Sequence, residues 1–275
     1  MNFQLDDLSM HYKVIGEGMP VLMLHGRPTD HEASMGAFEP VFRERTGWQR
    51  VYVDLPGMGL TTGGSWINGN DDVVAVLLAF VAEMWGKRPF LLTGFSYGGY
   101  IARGILHKRM TQVTGMMLLV PAMGAANGRK LPQHRVFGSE TAKFAQYPQP
   151  FADMAASLVV VHEEAVINRQ GEIMAGFQKA DPDMMTRISQ NYSFTFPVDT
   201  LPVPYDKPVL IITGKHDSVT GCDEAANLAQ TYPRATYAVL DRAGHAAHIE
   251  QPAIFNLLLH EWLDRVEESL CHSGE

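Results

Sequence analysis

Six short apolar runs recur along the chain, and longer stretches with helical spacing lie between them. The runs are rich in Val, Ile, Leu and Met without regular polar alternation, which is typical of strands buried on both faces of a parallel sheet. They span residues 21–24, 50–53, 90–93, 116–120, 209–213 and 236–240. The helical stretches span residues 71–85, 97–110, 222–231 and 253–270. This alternation predicts an α/β fold with a mostly parallel twisted sheet and helices on both faces.

Two segments depart from this alternation. Residues 3–6 and 9–15 predict an antiparallel hairpin at the sheet edge, which turns at Asp6–Asp7. From Met123 to Tyr205 the pattern gives no convincing buried strand, and the stretch ends in the proline-rich segment 197–204. We therefore predict a core formed by residues 1–122 and 206–275 with an insertion at 123–205.

Charge and cysteine content narrow the classes of partner. The chain carries 22 Lys and Arg against 30 Asp and Glu, a net charge of −8. An acidic chain without a basic stripe predicts no binding to nucleic acid or to an anionic membrane surface. Cys222 and Cys271 are too few and too far apart for a disulfide scaffold or a zinc ribbon. With no visible signal peptide and no apolar run long enough to span a membrane, we expect a cytoplasmic protein.

The strongest motif is Gly94-Phe95-Ser96-Tyr97-Gly98, at the junction of a predicted strand and a predicted helix. A tight turn there lifts the serine out of the sheet, and the flanking glycines let strand and helix approach closely. A chance match to G-x-S-x-G arises in about one such chain in ten. Its place at a strand–helix junction favours a nucleophilic Ser96.

A serine nucleophile needs a base and a group that orients the base. His245 directly follows the last predicted strand, and His248 is the reserve candidate for the base. Asp217 follows the strand 209–213, whereas Asp206 precedes it and Asp223 falls in the next helix. The chain order Ser96, Asp217, His245 matches the order of α/β-hydrolases and differs from that of chymotrypsin-like and subtilisin-like proteases.

The chain resembles serine hydrolases of the α/β-hydrolase superfamily, and the resemblance covers nearly all of it outside residues 123–205. It rests on His25-Gly26-Arg27-Pro28, Asp54-Leu55-Pro56-Gly57-Met58-Gly59, the Ser96 motif, Gly214-Lys215-His216-Asp217 and Gly244-His245 with Glu250-Gln251-Pro252. It implies a mainly helical cap between strands six and seven. It also implies an oxyanion hole formed by the backbone N–H groups of Arg27 and Tyr97, with His25 shaping the loop. Whether the Arg27 side chain points away or meets an anionic substrate stays open.

The resemblance implies cleavage of a small to medium carboxylic ester, a lactone or a thioester through an acyl-enzyme, with no cofactor or metal and a small molecule as partner. Cofactor-free perhydrolases share the triad and remain an alternative, as does a ligand sensor with little turnover. Proline-type aminopeptidases are a weaker alternative, because their His-Gly-Gly-Pro-Gly loop and Gly-Gly-Ser-Trp-Gly elbow differ from these motifs. The longer loop of ring-cleavage carbon–carbon hydrolases is absent, and Ser96 excludes haloalkane dehalogenases and epoxide hydrolases, which need Asp there.

Three weaker patterns carry less weight. Gly57-Met58-Gly59 follows a strand but lacks the third glycine and the acidic residue of a dinucleotide site. His162-Glu163-Glu164 begins like a zinc-protease helix, but Val166 stands where the second His would be. Apolar residues of the insertion could line an acyl pocket, although packing of a cap onto the core is the more frequent role; they include Phe144, Phe151, Met154, Phe177, Met184 and Met185.

Overall fold

A computed structural model describes residues 1–124, 131–137, 158–160 and 176–272. Within them an eight-stranded sheet has the order β1-β2-β4-β3-β5-β6-β7-β8. The strands are β1 (Asn2–Leu5), β2 (Leu8–Ile15), β3 (Met19–Leu24), β4 (Trp48–Val53), β5 (Phe90–Phe95), β6 (Val113–Leu119), β7 (Val209–Gly214) and β8 (Ala235–Leu240). Strand β2 pairs antiparallel with β1 and β4, and the remaining neighbours from β4 to β8 pair in parallel. The carboxyl ends of the parallel strands therefore meet at one edge.

Helices connect these strands and cover the sheet. They are α1 (His31–Phe42), α2 (Asn70–Trp85), α3 (Tyr97–Arg109), α4 (Pro182–Gln190), α5 (Asp223–Ala229), α6 (Ala247–Glu250) and α7 (Pro252–His272). None of the helices in the described part of the chain is long and apolar enough to cross a membrane.

Two apolar clusters lie on opposite faces of the sheet. One joins the sheet to α2 and α3, and the other joins it to α1 and α7. Neighbouring residues of β3 divide between them, since Leu22 packs in the first cluster and Val21 and Met23 pack in the second. Because both faces are buried, the strands need apolar side chains at successive positions, and this produces the continuous apolar runs of the sequence.

The predicted α/β-hydrolase fold is confirmed, with its parallel sheet, both helical layers and the hairpin of β1 and β2, where Asp6 has φ of +50°. Helix α1 was not predicted. Pro40 lies in its last turn, and a proline in a sequence argues against a helix there. Residues 120–208 connect β6 to β7. Much of the predicted cap, including Phe144, Phe151, Met154 and the 162–166 pattern, lies outside the described residues.

Candidate active site

Ser96 sits at the sharp turn between β5 and α3, as the motif predicted. Its backbone has φ of +53° and ψ of −114°, a sparsely populated conformation that stores about 1–3 kcal/mol of strain. The flanking glycines make the turn possible. A Cβ on Gly94 would lie 2.5 Å from the Gly98 carbonyl oxygen, and one on Gly98 would lie 2.4 Å from the Leu24 carbonyl oxygen. The fold therefore holds the Ser96 side chain at the carboxyl edge of the sheet.

His245 reaches Ser96 from the loop after β8. Its Nε2 lies 2.9 Å from the Ser96 Oγ, and its Nδ1 lies 2.9 Å from Asp217 Oδ2. The ring also packs against Phe95, with centroids 5.8 Å apart. Because ionised Asp217 can only accept, Nδ1 carries the proton and Nε2 offers its lone pair to the Ser96 hydroxyl.

Asp217 is fully buried after β7, and hydrogen bonds fix both of its carboxylate oxygens. The N–H groups of Val219 and Thr220 donate to Oδ1, and the Thr220 hydroxyl donates to Oδ2 at 2.7 Å. Burial acts to raise the pKa of Asp217, but the neighbouring His245 and these hydrogen bonds outweigh it and lower the pKa. Asp217 is therefore an ionised, rigid partner for His245. No motif in the sequence indicates this role for Thr220.

The loop after β3 lies beside Ser96. A Cβ on Gly26 would come within 3.3 Å of the Ser96 Cβ. Buried His25 shapes this loop, since its Nδ1 lies 2.7 Å from the Gly26 carbonyl oxygen and its Nε2 accepts the Leu55 N–H at 2.9 Å. Burial lowers the pKa of His25, so the ring is neutral. Arg27 follows Gly26 in this loop, and Tyr97 follows Ser96 as the first residue of α3.

Glu250 is a buried residue of the site region to which the sequence assigned no role. Its carboxylate accepts hydrogen bonds from the N–H of Gly244, next to His245, and from the N–H groups of Val159 and Val160. One side chain therefore joins the His245 loop to a segment of the predicted cap. In the sequence it belongs to the Glu250-Gln251-Pro252 motif of the family resemblance, five residues after His245, and that motif is the signal that marks it.

The other sequence candidates lie away from this constellation. His248 is in α6 and packs against Phe95 and Phe255, with ring centroids 5.2 and 6.0 Å apart. Asp223 begins α5, and exposed Asp206 pairs with Lys207 at 3.6 Å. Leu60 directly follows the 57–59 loop, and its backbone N–H donates to Asp54 Oδ2 at 2.8 Å.

His11, His31 and Asp54 offer donor atoms within 4.8 Å of one another, the spacing of a potential metal site. Asp54 Oδ1 already accepts from the His31 N–H and lies 2.9 Å from His31 Nδ1. Burial lowers the pKa of His11, and the nearby Lys179, which pairs with Asp30 at 3.3 Å, adds a smaller lowering. The Asp54 carboxylate already accepts hydrogen bonds from His31, and Lys179 lies close by. We therefore interpret His11, His31 and Asp54 as a structural anchor for the start of α1.

Comparisons with known proteins agree with this architecture. Among solved structures, an alpha/beta superfamily hydrolase from Oenococcus oeni PSU-1 matches with a TM-score of 0.87 and 30% identity, covering 97% of this chain and 99% of that one. Pyrrolizixenacetamide deacetylase of Xenorhabdus hominickii is 25% identical, covering 94% of this chain and 96% of its own.

Two further relatives are a synthase and a methyl ester esterase. 2-Succinyl-6-hydroxy-2,4-cyclohexadiene-1-carboxylate synthase of Escherichia coli O9:H4 (strain HS) is 29% identical, covering 86% of this chain and 90% of its own. Pimeloyl-[acyl-carrier protein] methyl ester esterase of Legionella pneumophila (strain Corby) is 19% identical, covering 93% and 100%. The sequence profile of the Alpha/beta hydrolase family matches residues 21–256. With this match and the fold and site geometry above, the chain belongs to the Alpha/beta hydrolase family.

Proposed function

We propose that the protein is a serine hydrolase that cleaves a carboxylic ester through an acyl-enzyme. The observation that carries the proposal is the hydrogen-bonded chain from Ser96 Oγ to His245 to Asp217, with 2.9 Å at each step. A serine is a weak nucleophile by itself, and a base held in one tautomer activates it.

The proposed reaction proceeds in two halves. His245 Nε2 takes the proton of Ser96 as Oγ attacks the carbonyl carbon, and the N–H groups of Arg27 and Tyr97 stabilise the oxyanion. His245 then protonates the leaving alcohol. In the second half His245 activates a water molecule, which releases the acid and restores Ser96. Ionised Asp217 stabilises the imidazolium formed in each half.

We further infer that residues 123–205 form a cap over this site. Described parts of that segment contact the residues around Ser96 and His245, and two of these contacts support the inference. The Ser189 hydroxyl of α4 accepts a hydrogen bond from Arg27 Nη2 at 2.8 Å. Val159 and Val160 donate to Glu250, and a Cβ on Gly244 would lie 2.7 Å from Val159 Cγ2. A cap in this position excludes water and limits substrate size.

The substrate class we propose is a small to medium ester, with lactones and thioesters as chemically equivalent carbonyl compounds. The names of two relatives, a deacetylase and a methyl ester esterase, support transfer of an acyl group to water.

Labelling with a fluorophosphonate tests the nucleophile. We expect rapid covalent labelling of the wild-type protein and complete loss in Ser96→Ala, because the probe reacts with an activated serine. Ser34→Ala is the matched control, since Ser34 is also a buried serine but lies in α1, and it should label like the wild type. A wild-type protein that fails to label and cleaves no p-nitrophenyl ester of graded acyl length would overturn the proposal in favour of a ligand sensor.

A further inference from the structure

Arg27 places a guanidinium group between the Ser96 turn and helix α4. Its Nη2 donates to the Ser189 hydroxyl at 2.8 Å, and its Cζ lies 5.9 Å from the ring centroid of Tyr97 and 6.0 Å from that of Tyr192. Tyr97 directly follows Ser96, and Arg27 directly follows Gly26, where an added Cβ would lie 3.3 Å from the Ser96 Cβ. The cation therefore lies against the ring of the residue that follows the proposed nucleophile.

The guanidinium is not fully satisfied. Its Nη1 atom is buried without a hydrogen-bond partner, and no acidic side chain pairs with it, as far as the described residues go. The nearby phenol of Tyr97 gives no counter-charge, because burial raises its pKa far above neutral pH. Aromatic faces stabilise a cation only in part. Arg27 is partly buried, and a cation in such a place without an acidic partner among the described residues is suited to bind an anionic ligand.

The chemistry of arginine identifies that group. Its planar fork binds a carboxylate through two parallel N–H donors and does so better than lysine can. Among the described residues, Nη1 has no hydrogen-bond partner and can make one such contact. Nη2 donates to Ser189 and thereby orients the guanidinium plane. We infer that the substrate is an ester that carries a second, ionised carboxylate group, which the Arg27 guanidinium binds while the ester carbonyl lies at Ser96. This inference rests on the proposed acyl-transfer function.

Hydrolysis of matched ester pairs tests the inference. One series compares monomethyl esters of dicarboxylic acids, from succinate to adipate, with methyl esters of alkanoic acids of equal carbon number. A second series places the carboxylate on the alcohol side by comparing acetylated hydroxy acids with alkyl acetates of similar length. We expect the wild type to prefer the carboxylate ester in one series, at one chain length, by roughly tenfold to a hundredfold in kcat/KM.

Arg27→Gln should abolish this preference, and Arg27→Lys should keep only part of it. The preference is a ratio within each variant, so a change in the oxyanion hole affects both esters and cancels. Arg187→Gln is the matched control, because it removes one positive charge from α4, where Arg187 Nε donates to the Ile67 carbonyl. It should keep the wild-type ratio. Equal loss in Arg27→Gln and Arg187→Gln would overturn the inference, because general charge would then explain the preference.

A measurement on the wild type alone does not depend on folding of the variants. Succinate, glutarate or adipate should slow fluorophosphonate labelling of Ser96 at lower concentrations than the monocarboxylate of equal length. Labelling with no such protection and no preference in either ester series would overturn the assignment of Arg27 and leave the hydrolase proposal standing. Absence of both labelling and hydrolysis would overturn the proposed function itself.

Discussion

At the scale of single residues, the two histidines of the 244–252 segment differ in what they touch. His245 lies at 2.9 Å from both Ser96 and Asp217, whereas the buried ring of His248 packs edge-on against Phe95. His248 follows His245 by three positions, but His245 precedes α6 and His248 lies within it. We therefore assign the proposed base to His245 and a packing role to His248.

Substitution of the two histidines separates these roles. His245→Ala should lower kcat for a p-nitrophenyl ester by roughly a thousandfold or more, because Ser96 loses its base. His248→Ala should leave kcat within severalfold of the wild type and lower the Tm, because it opens a cavity beside Phe95. Steady-state kinetics and thermal unfolding of both variants check this. A large loss of kcat confined to His248→Ala would move the base to that residue.

At the scale of elements, Glu250 connects three pieces of chain. It lies at the end of α6 and accepts backbone N–H groups from the His245 loop and from residues 159 and 160. Its carboxylate is buried, so removing it leaves these donors without their partner, and each buried unsatisfied donor costs about 1–3 kcal/mol. The position of His245 and that of the proposed cap are therefore coupled through this side chain.

Glu250→Ala should lower the free energy of unfolding by about 3 kcal/mol or more and also lower kcat, because the His245 loop loses its anchor. Glu250→Gln retains one acceptor oxygen and should give an intermediate loss of both. Gln251→Ala is the neighbouring control, since Gln251 donates to the Arg242 carbonyl at the surface, and it should change kcat little. Urea unfolding and ester kinetics measure both effects. Wild-type stability in Glu250→Ala would contradict this anchoring role.

At the scale of the whole molecule, stability depends on pH through buried Asp54. Burial acts to raise the pKa of Asp54, but His31 and the hydrogen bonds at the carboxylate outweigh it and hold the pKa at about 2, below the ordinary value of 3.8. A carboxyl group with a lower pKa in the folded chain stabilises it at pH above the unfolded value. That contribution is about 2 kcal/mol and is lost as the pH falls from about 4 to about 2.

Asp54→Asn should be less stable than the wild type at pH 7 and should lose less stability between about pH 4 and pH 2. Urea unfolding across this range measures the difference. Asp206→Asn serves as the control, because Asp206 is exposed, and it should follow the wild-type curve. Parallel curves for Asp54→Asn and the wild type would show that Asp54 does not contribute to acid unfolding.

The sequence by itself determined the sheet, its two helical layers and the identities of Ser96, Asp217 and His245 as candidates. It could do so because strand burial and the nucleophile turn leave local patterns, such as apolar runs and the glycines around Ser96. It favoured His245 over His248 from its place after the last strand, but it did not determine α1, whose Pro40 contradicts the helical pattern. Nor did it determine the roles of Thr220, Glu250 and the Arg27 side chain. Those depend on contacts between segments far apart in the chain, such as Arg27 with Ser189 and Glu250 with Val159, and only the tertiary structure brings such segments together.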